Sequence, residues 1–311
     1  MNNQIYQKEN ITKMKLGIGT WAWGDRLYWG YGREYDEADI KATFRSSVDL
    51  GVTYFDTAEN YGQGKSELLI GKFEQEIGKK VYIATKFVPF PWRLTKRSVI
   101  NAVKGSLKRL RRKKIDLYQI SFPASPITIE NWLNHFIDIQ RKGFIQEIGV
   151  CNFSLEQLQR ANDYLTVKGS KLASIQVSYS LLDRNIESNG ILGFCKKNNI
   201  RLIAHSPLGQ GLLSGKYNED YLPGGLRKQR FNKAYIQRHR RLLDLVKTIA
   251  SDHVGATASQ VALNWIIEKD IFPVCGAKSP RQVEQNINSN KWKLAENEIQ
   301  VLDEVSSDLI Q

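Results

Sequence analysis

A carboxylate, a phenol and an ammonium follow one another in an order that suits proton transfer to a carbonyl oxygen. Asp56 closes the apolar run Val52 to Phe55, which reads as a buried strand. Tyr61 comes five residues later, in a stretch of turn formers that includes Asn60, Gly62 and Gly64. The next strand-like run, Val81 to Thr85, is followed by Lys86. A free tyrosine is a poor acid at neutral pH, because its ordinary pKa is about 10. A nearby ammonium lowers that value, and Asp56 can hold Lys86 charged and in place. A phenol tuned in this way can protonate a developing alkoxide, which is what carbonyl reduction needs once hydride comes from elsewhere.

The elements that must position this trio are short and regular. Eight apolar runs read as strands: 16–19, 52–55, 81–84, 115–120, 144–150, 172–177, 200–204 and 271–275. Helical patterns fall between them, at Asp36 to Leu50, Thr95 to Arg112, Glu130 to Lys142, Ser154 to Tyr164, Ser188 to Asn198 and Ala258 to Lys269. Ser154 with Gln157 makes a capping box. Alternating strands and helices give a parallel sheet, and eight such units close into a (β/α)8 TIM barrel whose strand ends carry the site. Two stretches are extra: a Gly-rich loop, Leu208 to Arg230, with a helix around Tyr235 to Ile249, and a terminal helical segment, Lys293 to Leu309. Long loops in compact folds are usually functional. No composition break divides the chain, so residues 1–311 are expected to form one domain, with 1–13 as a flexible N-terminal extension.

Composition narrows the function classes. No apolar run of the 311 residues approaches the roughly 18 of a membrane helix, and the N-terminus lacks an apolar signal core. Cys151, Cys195 and Cys275 are odd in number and far apart, which points away from disulfides or a metal site and towards a reducing cytoplasm. The net charge is +13, and Lys108 to Lys114 is the densest basic run, but helical spacing of Val99, Val103, Leu107 and Leu110 runs through it. A solvated helix end explains that run without a nucleic-acid partner. The excess charge favours anionic substrates and a phosphate-bearing cofactor. Gly17 to Ala22 matches a dinucleotide fingerprint, yet aromatic and glycine-rich residues follow instead of a helix. Gly64-Lys65-Ser66 imitates the end of a phosphate loop, but the glycine required five positions earlier is Glu59.

GVTYFDTAENYG followed by VYIATKF resembles the signature of the aldo-keto reductases, NAD(P)H-dependent (β/α)8 barrels. The likeness runs from Met14 to about Leu309. It includes Gly149 to Phe153, Gln176 to Ser180, His205 to Gly209 and Gly276 to Ser279. It implies Asp56, Tyr61 and Lys86 as catalytic residues. Where the family commonly carries a fourth residue, histidine, in Tyr-Gln-Leu-His-Trp-Pro, this chain has Ser121 in Tyr118 to Pro123. Serine can donate a hydrogen bond but is shorter, and it leaves volume open above a nicotinamide. The resemblance implies Thr20, Trp21 and Asp56 beside the cofactor, and Asn152 and Gln176 on its carboxamide, with Cys151 where Ser is common. His205 stands where a Tyr or Trp usually stacks on the nicotinamide, and it titrates near neutral pH in its ordinary state. Ser206, Pro207, Leu208, Gly211 and Lys216 resemble the pyrophosphate cover. Gly276, Lys278, Ser279, Gln282, Gln285 and Asn286 resemble the adenosine phosphate site.

Lys278, Arg281 and the helix start near Ser279 favour NADPH over NADH. The family also implies that the loop after the seventh strand covers the cofactor and that the C-terminal segment helps to line the pocket. Trp23, Trp29, Trp92 and Phe122 lie on loops after strands one, three and four, where they line an apolar pocket or pack the loops on the barrel. The expectation is an NADP(H)-dependent reductase of an aldehyde, ketone or related polarised double bond. Its partner is a small carbonyl-type molecule, with no nucleic acid and no membrane, and its oligomeric state is left open. Ser121 also suits a cofactor-binding regulatory or scaffold protein with little turnover.

Overall fold

The computed structural model describes residues 15–123 and 126–307. Eight parallel strands close in sequential order: β1 Gly17–Gly19, β2 Tyr54–Asp56, β3 Tyr82–Phe87, β4 Ile115–Ile120, β5 Ile145–Cys151, β6 Leu172–Ser178, β7 Arg201–His205 and β8 Phe272–Gly276. β1 closes the ring on β8, with Gly17 opposite Val274 and Gly19 opposite Gly276. Each apolar run read from the sequence overlaps one of these strands, with ends that differ by up to three residues. The chain is the (β/α)8 barrel expected.

The helices are α1 Glu37–Asp49, α2 Lys65–Ile77, α3 Lys96–Leu110, α4 Ile129–Arg141, α5 Leu155–Val167, α6 Asn185–Ser188, α7 Ile191–Asn198, α8 Arg227–Arg230, α9 Lys233–Arg238, α10 Arg240–Asp252, α11 Ala258–Glu268, α12 Pro280–Asn288 and α13 Glu296–Ser307. Helix α12 packs on α1, so the outer ring closes with the barrel. No helix among the described residues is long and apolar enough to cross a membrane.

Side chains two apart on a strand share a face, and this parity builds the site. Phe55, Ile83, Tyr118, Ile175 and Leu202 face outward and join the main core beneath the helices. Tyr54, Tyr82, Ala84, Leu117, Ile203 and Val274 form a separate buried cluster inside the barrel. The next inward position on the same strands is polar or open: Asp56, Lys86, Gln119, His205 and Gly276. Gly17 is required by this filling, since a Cβ there would sit 2.5 Å from Tyr54 Cδ1. Gly149 is required likewise, with Ser174 Oγ 2.6 Å from where its Cβ would be.

Four features differ from the sequence reading. Helix α2 was not expected: it starts after Gly64 at φ 89°, without the Ser, Thr or Asp that marks most helix starts. It buries Leu69, Ile70 and Phe73, and Gly71 lies so close to α3 that a Cβ would be 2.5 Å from Leu110 C. The basic run is more than a solvated helix end, because Arg109 bonds Glu67 and Arg112 bonds Glu74 and Asp116, bracing α3 to α2 and β4. The helix expected over Ser188 to Asn198 is interrupted at Gly190, φ 82°. The C-terminal segment is bound into the outer layer: α13 packs on α10, and its Asp303 meets Arg184, Trp265 and Lys269. Residues 308–311 and the expected extension 1–13 lie outside the described residues.

Candidate active site

Asp56 ends β2, and Lys86 stands near the end of β3. Both are buried and point inward, and Lys86 Nζ donates to Asp56 Oδ2 at 2.5 Å and to the Thr57 carbonyl at 2.9 Å. The other carboxylate oxygen accepts from Gln176 Nε2 at 2.8 Å and Gln119 Nε2 at 3.4 Å. Thr20 fixes the Asp56 backbone, donating from its N–H and its hydroxyl to the carbonyl at 2.9 Å each. Burial works against the Lys86 charge, but Asp56 and Tyr61 outweigh it and push the Lys86 pKa up, so the ammonium stays charged.

Tyr61 is carried on a 3-10 turn, Tyr61–Gly64, between β2 and α2. Lys86 Nζ lies 5.2 Å from the centre of its ring, and the Trp21 ring stacks with it at 6.2 Å between centroids. Its loop is pinned by Glu59, whose carboxylate accepts from the Val88 N–H and from both terminal nitrogens of Arg93. Burial raises the Tyr61 pKa, and Lys86 only partly opposes this. That corrects the expected lowering: desolvation costs the phenolate more than the ammonium returns. The phenol is therefore held in its protonated form.

A second group sits at the ends of β4, β5 and β7. Asn152, at φ 57°, donates through Nδ2 to the Ser121 carbonyl at 3.2 Å. Its Oδ1 lies 3.1 Å from His205 Nε2, and Ser206 Oγ lies 3.3 Å from His205 Nδ1. Burial and the Lys86 charge push the His205 pKa down to about 4, so the ring is neutral and does not titrate near pH 7 as the sequence suggested. Cys151 is buried, with Sγ 3.5 Å from Gln119 Oε1, and burial pushes its thiol up to about 12.

Beside this end of the barrel the loops after β1 and β7 meet. Tyr28 Oη donates to Gln210 Oε1 at 2.5 Å, and the Arg227 guanidinium lies 4.7 Å over the Trp29 ring. Arg227 is buried yet has no carboxylate partner among the described residues, and its Nε has no hydrogen-bond acceptor. Among the described residues its hydrogen bonds, both 3.4 Å, are to the Gln210 carbonyl and Tyr217 Oη. Lys216 is exposed nearby, over the Tyr217 and Tyr221 rings. On the β8 side, Ser279 caps α12, and the Lys278 N–H donates to Gln282 Oε1 at 2.7 Å. Asn286 Nδ2 reaches the Gly276 carbonyl at 3.5 Å, and Gln285 offers its own carbonyl to Gln260.

Residues 15–307 match the aldo/keto reductase family. The chain belongs to that family. It is 38% identical over 296 residues to a chloroplastic pyridoxal reductase of Arabidopsis thaliana, covering 91% of this chain and 80% of the relative. Its fold is similar to the glycerol dehydrogenase of Gluconobacter oxydans, with a TM-score of 0.82, 27% identity and coverage of 95% and 92%. A thermostable aldo-keto reductase in complex with the inhibitor epalrestat gives 0.76, 29%, 94% and 95%.

In this aldo/keto reductase the resemblance-based residues fall into three groups. Asp56, Lys86, Tyr61, Cys151, Gln176, Asn152, His205 and Ser121 converge on the open end of the barrel. Pro207, Leu208, Gly211 and Lys216 lie on the β7 loop, and Gly276, Lys278, Ser279, Gln282, Gln285 and Asn286 gather around the start of α12. Trp23 is corrected. Its indole is fully buried against Phe44 and Phe55 and donates to the Ala277 carbonyl at 2.9 Å, so it offers no face to a substrate. Trp92 is 75% exposed and stacked on Phe90, and Phe122 is 40% exposed, so both remain accessible. The sequence reading missed Gln119, Glu59 and Arg227. Gln119 was findable, since it lies two residues from Leu117 on the inward face of β4. Arg227 acts through loop contacts that no local pattern shows.

Proposed function

We propose that the protein is an NADPH-dependent reductase of a planar aromatic aldehyde, with Tyr61 as proton donor and pyridoxal as the first substrate to test. The observation that carries the reading is the buried Lys86–Asp56 pair set behind a protonated Tyr61 at the open end of the barrel. Pyridoxal is suggested by the 38% identical relative. The small Ser121, in place of a histidine, leaves room for a ring.

The residues present suit a dinucleotide phosphate. Arg227 is a buried cation with an orphaned Nε, and Lys216 and Lys278 add charge beside it. Arg227 and Lys216 would hold the pyrophosphate, Lys278 and the start of α12 the 2′-phosphate, and Asn152 and Gln176 the carboxamide. Bound NADPH supplies the hydride. Tyr61 gives its proton to the substrate oxygen, and Lys86 stabilises the phenolate that this leaves. Asp56 keeps Lys86 charged and aimed, while Gln176 and Gln119 fix Asp56. Ser121 admits the aromatic ring and offers one hydroxyl donor. His205 stays neutral and presents a flat face. We assign this activity to one domain and to a reducing cytoplasm, in keeping with three buried, free cysteines.

Substrate preference tests the reading. Wild-type protein should turn over pyridoxal with a higher kcat/KM than propanal. Ser121→His should lower the first and raise the second, each by about tenfold, the scale of one or two methylenes of pocket volume. If both substrates respond equally, Ser121 does not shape the pocket. Ser121 also fits a cofactor-binding regulator with little turnover, and binding of NADPH without reduction of any aldehyde would favour that reading.

A further inference from the structure

Lys278 already holds an anion of the chain's own. Its Nζ lies 3.4 Å from Glu34 Oε2 and 4.4 Å from the centre of the Tyr35 ring. Glu34 sits on the β1 loop and joins it to the residue before the α12 cap. The Glu34 carboxyl lies over Gly30, where a Cβ would come within 2.9 Å of Cδ. Glu34 also lines an open cleft of about 220 Å³ with Tyr28, Arg33 and Gly225. Its side chain is 60% exposed, against 24% for Lys278. The further charges acting on Lys278, Arg227 and Lys216, are cations.

We infer that Glu34 moderates the preference between the two nicotinamide cofactors by competing with a 2′-phosphate for Lys278. This rests on the assignment of Lys278 to the 2′-phosphate in the reading above. A ligand without that phosphate leaves the Glu34–Lys278 pair intact. A ligand with it takes Lys278, leaves Glu34 unpaired, and sets a carboxylate beside a phosphate dianion. The pair therefore weakens NADPH binding and leaves NADH binding alone. It narrows the gap between cofactors that Lys278 would otherwise open.

Fluorescence titration of NADPH and NADH into wild type, Glu34→Gln, Lys278→Ala and the double variant tests this without turnover. Glu34→Gln keeps the shape and removes the charge. It should tighten NADPH by about three- to fivefold, as expected for one partly exposed charge interaction, and leave NADH unchanged. The gain should be smaller when Lys278 is also alanine, because only the direct repulsion between carboxylate and phosphate is then relieved, and it should shrink in high salt. Unchanged NADPH affinity in Glu34→Gln, with Lys278→Ala weakening NADPH, overturns the competition and leaves the Lys278 assignment standing. An equal change for NADH overturns it too, since Glu34 would then act on the loop and not on the phosphate. If Lys278→Ala does not weaken NADPH, the assignment itself fails and the inference fails with it.

Discussion

At the open end of β2 and β3, Lys86 and Asp56 meet at 2.5 Å, and Gln176, Gln119 and the Thr57 carbonyl take up further bonding positions around them. Where the β1 and β7 loops meet, Arg227 is as deeply buried, but among the described residues it has no carboxylate and its Nε has no acceptor. The two regions treat charge in opposite ways. The first is complete when the chain folds, because strands fix both partners and an unpaired ion there would be costly. The second has no carboxylate among the described residues, so an anionic ligand of the kind proposed above would relieve its desolvation penalty. Under the proposed function, the catalytic pair is preset, while cofactor binding is where the protein has most to gain.

Substitutions should separate the two regions. Tyr61→Phe should cost about 10²–10⁴-fold in kcat, the usual weight of a general acid, with NADPH affinity unchanged. A matching loss of affinity in a titration would place Tyr61 in the cofactor cradle instead. Lys86→Met leaves Asp56 buried and unpaired, and should destabilise the fold by roughly 3–5 kcal/mol in urea unfolding. Arg227→Leu should do the reverse: unliganded stability holds or rises, while NADPH and NADH both weaken by about tenfold or more. If Arg227→Leu unfolds as readily as Lys86→Met, the contrast between the regions is wrong.

The smallest expected effect is at His205. Its pKa is lowered from 6.5 to about 4 on folding, chiefly by burial. The unfolded chain therefore takes up this proton at a higher pH than the folded one. The stabilisation from neutral His205 is present above about pH 6.5 and is lost as pH falls towards 4. His205→Phe should lose less stability than wild type over that window, measured as the urea midpoint against pH. Equal slopes would mean that His205 is solvated in the folded state.

Much of this was legible because it is local. All eight strands are short apolar runs with charged or turn-forming residues at their ends, and the trio Asp56, Tyr61 and Lys86 follows from that spacing. What escaped depends on distance or burial. Trp23 looked like a loop aromatic, but its indole reaches Ala277 on the far side of the β1–β8 seam. Helix α2 starts on a glycine and lacks a cap signal. The direction of the Tyr61 shift is a contest between desolvation and Lys86, and sequence shows the ammonium without showing the burial. Arg227 and Glu34 gain their meaning from loops that meet only in the folded chain.

The central claim is that this end of the barrel performs reduction and does not merely hold a cofactor. Wild-type protein preloaded with one equivalent of NADPH should be mixed with pyridoxal in a stopped-flow instrument while the nicotinamide absorbance is followed. Loss of one equivalent of NADPH, with formation of the corresponding alcohol, is expected. Almost no reaction is expected in Tyr61→Phe over the same interval. Retention of bound NADPH by the wild type, with pyridoxal and with every other aldehyde tried, would contradict the claim.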